Sequence, residues 1–290
     1  MFGNFKRNLL GVSLAVAGIA AAGLNPMGVT SAQAQDTLER LKEQGYARIA
    51  IANEPPYTEV TAGGEVTGAA PEVARAVLKR LGVNEVVASV SEYGAMIPGL
   101  QAGRFDLVAA GLFIKPERCA AVIFSEPDLC DAEAFAVKKG NPLGLTTYEE
   151  VAAHESARIG APGGGTEERL ALEAGVPRDR VVVVPDGQSG IKMLQDGRLD
   201  VYALPTLSIG DLLKKADDPN LEMVTPIEGT PVYCAGAAFR KQDTALRNAY
   251  DEALAEMKES GEFQELVASF GFPGDAPNLT SREELCGGPN

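Results

Sequence analysis

Tryptophan is absent, histidine occurs once, at position 154, and the four cysteines of the 290-residue chain include no Cys-x-x-Cys spacing. A single histidine and scattered cysteines exclude the usual zinc sites. Basic residues are also short: 26 Lys and Arg stand against 40 Asp and Glu, a formal charge of -14. A nucleic-acid surface needs a cationic field that this balance denies. No long apolar run occurs after the first 34 residues, and there is no solenoid-length repeat or low-complexity tract. No Ser-His-Asp set is legible, since His154 lies in a polar segment that reads as an exposed helix. What the chain does have is 45% hydrophobic residues, enough for a large core or two.

Residues 1–34 read as a signal peptide. Lys6 and Arg7 form a positive start, Leu9 to Leu24 is an apolar run of small residues, and Ala32-Gln33-Ala34 is a small-x-small cleavage signature. The mature chain is then expected to start at Gln35, exported and two units more acidic than the precursor. Export permits disulfides. Four cysteines allow three pairings, and loop economy favours Cys119 with Cys130 and Cys234 with Cys286.

Strand-like and helix-like runs alternate after residue 46. The pattern predicts strands near 47–52, 86–90 and 106–109, with helices over 71–81 and from 94 to Gly103 between them. This order implies a largely parallel sheet covered by helices. It restarts after Gly140-Asn141-Pro142 with a Thr147/Glu150 capping box, strands at 158–161, 181–184 and 201–204, and helices at 167–174 and 189–194. Two C-terminal helices follow. Extended segments near 132–139 and 231–239 bracket the second unit. If both are crossovers, the chain leaves one lobe, builds a second and returns, leaving a cleft that a hinge closes.

Six runs in order carry a resemblance. They are Ala52-Asn53-Glu54-Pro55-Pro56-Tyr57, Gly68-Ala69-Ala70-Pro71-Glu72-Val73-Ala74, Leu100-Gln101-Ala102-Gly103-Arg104-Phe105-Asp106, Lys115-Pro116-Glu117-Arg118, Phe124-Ser125-Glu126-Pro127 and Asp196-Gly197-Arg198-Leu199-Asp200. Over 35–275 the chain resembles the periplasmic solute-binding proteins of ABC importers, polar-amino-acid type. Within them, the run Ala161-Pro162-Gly163-Gly164-Gly165-Thr166-Glu167-Glu168 and a set of acids and aromatics resemble the ectoine-binding subgroup. The resemblance implies an α/β, two-lobed type II fold with two crossover strands as hinge and the ligand in the interlobe cleft. Lobe 1 would comprise 35–135 and 236–290, and lobe 2 136–235. It also implies a monomer that delivers a small zwitterion to membrane permease subunits, without cofactor or metal.

The resemblance singles out seven residues. Arg118 matches the carboxylate-binding arginine, and its planar guanidinium suits bidentate capture. Gly165 and Thr166 open a helix whose N–H groups favour an anion, with Thr166 read as the cap. No Walker lysine accompanies these glycines, so a nucleotide site is not expected. Tyr57, Tyr93 and Phe113 fall at strand ends and match an aromatic cage for a diffuse cation, with Glu54 as counter-charge. The expected guest is ectoine or hydroxyectoine. Amino-acid binders of the family carry an aspartate for the ligand ammonium where this chain reads Val201-Tyr202-Ala203-Leu204-Pro205. The alternatives are another polar amino acid or betaine-like osmolyte, or a dehydratase in which Glu54 is a general acid.

Overall fold

A computed structural model describes residues 37–288; the signal-peptide reading of 1–34 falls outside them. In chain order the elements are α1 (Thr37–Gln44), β1 (Tyr46–Ile51), β2 (Glu59–Val60), β3 (Val66–Thr67), α2 (Ala69–Arg80), β4 (Glu85–Val90), α3 (Tyr93–Gln101), β5 (Leu107–Val108), α4 (Pro116–Cys119), β6 (Ile123–Phe124), β7 (Leu129–Asp131) and β8 (Glu133–Lys138). Next come α5 (Tyr148–Ala153), β9 (Ile159–Pro162), α6 (Thr166–Glu173), β10 (Val181–Val184), α7 (Gly187–Gln195), β11 (Val201–Pro205), α8 (Thr206–Ala216) and β12 (Leu221–Val224). The last are β13 (Tyr233–Ala235), β14 (Ala238–Phe239), α9 (Thr244–Ser260), α10 (Glu262–Ala268) and α11 (Arg282–Leu285).

The strands form two five-stranded sheets, ordered β4-β1-β5-β14-β6 and β10-β9-β11-β8-β12. In each, four strands share one direction and one strand next to the crossover runs against them: β14 between β5 and β6, and β8 between β11 and β12. The two-lobed α/β architecture is therefore present. The hinge is a short antiparallel ribbon in which β7 pairs with β13. The expected lobe boundaries fall inside β8 and at the end of β13.

Local sequence chemistry explains most boundaries. Helix α2 buries Val73, Ala74, Val77 and Leu78 on one stripe, a 3.6-residue period that packs it on α9 and α10. The Thr147/Glu150 capping box is formed: Glu150 N–H donates to Thr147 Oγ1 at 3.1 Å and Thr147 N–H to Glu150 Oε2 at 3.1 Å. Such a cap stabilises its helix by about 0.5–2 kcal/mol. His154 is not an exposed helical residue. It is half-buried at the C-cap of α5, where its Nδ1 accepts the N–H groups of Ser156 and Ala157.

The cysteines pair differently from expectation. Cys130 joins Cys234, and Cys119 joins Cys286. Tertiary register overrides loop length: Cys130 and Cys234 are opposite partners in the β7–β13 ladder, with Cα atoms 4.1 Å apart. The ladder directs both side chains to one face. The other bridge ties α4, which carries Arg118, to the turn after α11.

The cleft and its lining

The C-terminal ends of the parallel strands in both sheets face the cleft, where open α/β sheets place their ligands. Glu54 and Tyr57 lie in the loop after β1, Tyr93 opens α3, Phe113 follows β5, and Arg118 sits in α4. Gly165 and Thr166 open α6 from the opposite lobe. All seven line one cavity, together with Gly111, Glu167 and Pro205.

One end of the cavity is acidic and aromatic. Glu54 is buried, and its carboxylate accepts a hydrogen bond from Ser208 Oγ of α8 at 3.0 Å. Burial and then the nearby Glu167 carboxylate push its pKa up to about 8, against the pull of the Ser208 bond. The Tyr57 ring meets Phe113 edge-on at 6.4 Å and Phe272 at 4.7 Å. Gly111 makes room for it: φ is +69°, and a Cβ there would lie 2.2 Å from the Tyr57 ring. Phe113 stacks on Tyr233 at 5.3 Å, with 19° between the planes. Tyr93 donates its hydroxyl to Ala110 O at 3.1 Å. Its burial keeps that hydroxyl protonated, with a pKa well above the ordinary value.

The other end is cationic. Arg118 donates from Nη1 to Phe113 O at 2.9 Å and from Nη2 to Gly164 O at 3.3 Å, so its guanidinium spans both lobes. Five N–H donors leave it capacity for an anion as well. Burial lowers its pKa, yet an arginine stays charged. Gly164 N–H donates to Glu168 Oε2 at 2.6 Å, and Arg178 holds that carboxylate's Oε1 at 2.5 Å. The glycine loop is thus braced from behind.

Two details differ from the sequence reading of this loop. Thr166 is not the cap of α6; Gly165 holds that position, and Thr166 is the first helical residue. Its Oγ1 is buried without a partner at the cavity wall. Gly165 does not offer its own N–H to the cavity, because that group donates to Pro162 O at 3.0 Å. Tight turn geometry uses the donor that the sequence pattern left free.

The lobes touch across the cleft. Gly94 N–H donates to Gly163 O at 3.1 Å, Arg169 pairs with Glu117 at 2.8 Å, and Lys215 pairs with Glu59 at 3.0 Å. At Gly164, where φ is +72°, a Cβ would lie 2.4 Å from the Gly94 backbone. Only glycine permits that approach.

Sequence reasoning passed over Gly111, Glu167, Pro205 and Ser208. Glu167 had a signal, as an acid directly after the Gly-Gly-Gly-Thr run. Ser208 had none, because helix α8 was not separated from its surroundings by pattern.

Two lobes, two crossover strands and a small polar cleft between them define a type II periplasmic binding protein. The chain belongs to the bacterial extracellular solute-binding proteins, family 3, whose profile matches residues 47–273. It is 38% identical over 262 residues to a probable amino-acid ABC transporter periplasmic-binding protein of Sinorhizobium fredii, covering 86% of each chain. Among solved structures it is similar to EhuB in complex with hydroxyectoine. There the identity is 69% and the TM-score 0.86, with 87% of this chain and 99% of that one covered. An ancestral amino acid-binding protein, a precursor of cyclohexadienyl dehydratase, is more distant at 26% identity and TM-score 0.71, covering 81% of this chain and 99% of its own. Among the described residues no helix is long and apolar enough to cross a membrane.

Proposed function

We propose that this protein is the extracytoplasmic receptor of an ABC importer and captures ectoine or hydroxyectoine. The observation that carries the reading is the single cavity on which Glu54, Tyr57, Tyr93, Phe113, Arg118, Gly165 and Thr166 converge, bringing carboxylates and aromatic rings beside a guanidinium. A compact zwitterion with a diffuse positive charge is complementary to that polarity. Its carboxylate meets the free donors of Arg118 and the unpaired Thr166 hydroxyl at the N-terminus of α6. Its ring cation lies against the aromatic side chains, each worth about 0.5–2 kcal/mol when water is excluded, with Glu54 and Glu167 as counter-charges. The relative solved with hydroxyectoine supports the choice of guest.

In the same reading, residues 1–34 direct export and are removed, lobe 1 takes 35–135 with 236–290 and lobe 2 takes 136–235. The monomer hands its guest to membrane permease subunits. A dehydratase role would need a second acid or base placed to work with Glu54 on a substrate proton. The other cavity acid, Glu167, sits at the N-terminus of α6 and serves the reading better as a counter-charge.

Calorimetric titration tests the assignment. Ectoine and hydroxyectoine should bind and raise the melting temperature with dose, since only the folded form takes ligand. Histidine, glutamine, arginine and glutamate should bind at least tenfold more weakly, because a buried ammonium left with unmade hydrogen bonds costs about 1–3 kcal/mol. Equal affinity for any of these amino acids, or no response to millimolar ectoine, overturns the reading.

A further inference from the structure

Beside the cavity lies a buried charge that binding of a zwitterion does not use. Lys115 precedes α4 in lobe 1; it is only 4% exposed, and its Nζ donates no hydrogen bond to a protein atom. The ammonium sits 4.1 Å from the centroid of the Tyr233 ring. Tyr233 in turn stacks on Phe113, a wall of the ligand cavity. Glu133, the first residue of β8, is fully buried with both carboxylate oxygens unpaired. Its ladder partner is Pro205, a cavity wall at the C-terminal end of β11, so Glu133 stands at the cleft end of β8.

Electrostatics joins these groups. Glu133 and Glu167 both act on Lys115 to favour its charged form, while burial and the guanidiniums of Arg169 and Arg118 oppose it, bringing its pKa to about 8. At neutral pH most of the side chain is still an ammonium. Burial raises the pKa of Glu133 and of Glu167, and the ammonium of Lys115 opposes that rise in both.

An aromatic face with two carboxylates beside it is what a protein builds to hold an organic cation. Here the cation is supplied by the chain itself. We propose that Lys115 is the tethered occupant of a second cation subsite, formed by Tyr233, Glu133 and Glu167, and that it makes the cleft refuse guests carrying two cationic groups. The main cavity takes one cation at the Glu54 end. The ammonium of Lys115 lies over Tyr233, which stacks on the cavity wall Phe113, so a diamino acid or guanidino acid reaching past that wall meets a like charge. The ligand class for the vacated subsite is a primary ammonium or guanidinium. The inference rests on reading the cleft as a solute site, and not on which zwitterion it carries.

The test replaces the tether. In Lys115→Met, ornithine and arginine should gain at least tenfold in affinity relative to the native protein. Methylammonium chloride should also raise the melting temperature of the variant by several degrees beyond an equal concentration of sodium chloride. The native protein and Lys115→Arg, which keep a resident cation, should show neither response. If Lys115→Met does not fold alone, recovery of soluble protein in methylammonium is the readout, and failure of that rescue overturns the proposal. So does a folded Lys115→Met that responds to neither ammonium, or a Lys115→Arg that gains as much as Lys115→Met. The methylammonium response does not involve ectoine, so it stands or falls separately from the identity of the guest.

Discussion

The two ends of β1 carry buried acids with opposite fates. At the end remote from the cleft, Asp106 is fully buried, yet its carboxylate accepts hydrogen bonds from Arg48 N–H at 2.9 Å, Arg48 Nε at 3.1 Å and Arg40 Nη2 at 2.7 Å. Burial alone would raise its pKa, but the Arg48 and Arg40 bonds outweigh it and hold the group below the usual carboxylate range. At the cleft end, burial and the like charge of Glu167 outweigh the Ser208 and Tyr93 hydroxyls, and the pKa of Glu54 rises to about 8. The chain satisfies the acid that holds the sheet together. It leaves the acid in the cleft short of a cation, a shortage that a cationic guest would relieve under the proposed function.

The contrast predicts opposite pH behaviour. Asp106 stabilises the fold above its unfolded pKa of about 3.9, and that contribution is lost as pH falls through its lower folded value. Glu54 does the reverse. Its folded form keeps a proton that the unfolded chain loses near pH 4.3, so stability falls from there as pH rises toward 8. Ligand binding reverses this second slope, because the cation requires the ionised acid.

The largest effect is expected at Asp106. Asp106→Ala leaves two arginines without their buried partner and should cost about 3 kcal/mol. That is the low end for a broken buried pair, since both arginines keep access to water. Urea unfolding would measure it, and a loss below 1 kcal/mol would erase the contrast. Next is Glu54→Gln, which keeps a side chain able to meet Ser208 but removes the counter-charge. Affinity for a cationic guest should fall tenfold or more, and the decline in ligand-free stability between pH 5 and 8 should flatten. An unchanged pH slope would assign that decline to Glu133 or Glu167, whose pKa values are also raised by burial. The smallest change is expected for Ser208→Ala, which removes one hydrogen bond worth about 0.5–1.5 kcal/mol. It should also move the midpoint of the pH-dependent affinity further upward. A downward shift in calorimetry would show that Ser208 does not stabilise the ionised form.

Much of this arrangement was legible in the residues. Strands β1, β4, β9, β10 and β11 and helices α2, α3, α6 and α7 lie within a few residues of where hydrophobic periodicity places them, because each buries one face along its own length. The hairpin β2–β3 and the short helices α4 and α11 are too brief to show a period. Helix α8 escaped because it follows β11 without a break: Pro205 ends one element and caps the next. The seven candidate residues come from segments far apart in the chain and meet on one cavity. That meeting follows from topology, since strand C-terminal ends collect at the cleft whatever the loop lengths between them.

By itself, the sequence determined the acid-rich charge and the alternation of strand and helix, which follow from local pattern and residue chemistry and need no knowledge of distant neighbours. The two-lobed plan and the side chains that could meet a zwitterion came through its resemblance to the family. The tertiary structure alone decided that Cys130 faces Cys234, that Gly165 uses its N–H on Pro162, and that Lys115 and Glu133 are buried. Each depends on a register or a lobe contact between segments remote in sequence. A pKa, a disulfide and a refused ligand all answer to distances in space, and a chain read in one dimension does not contain them.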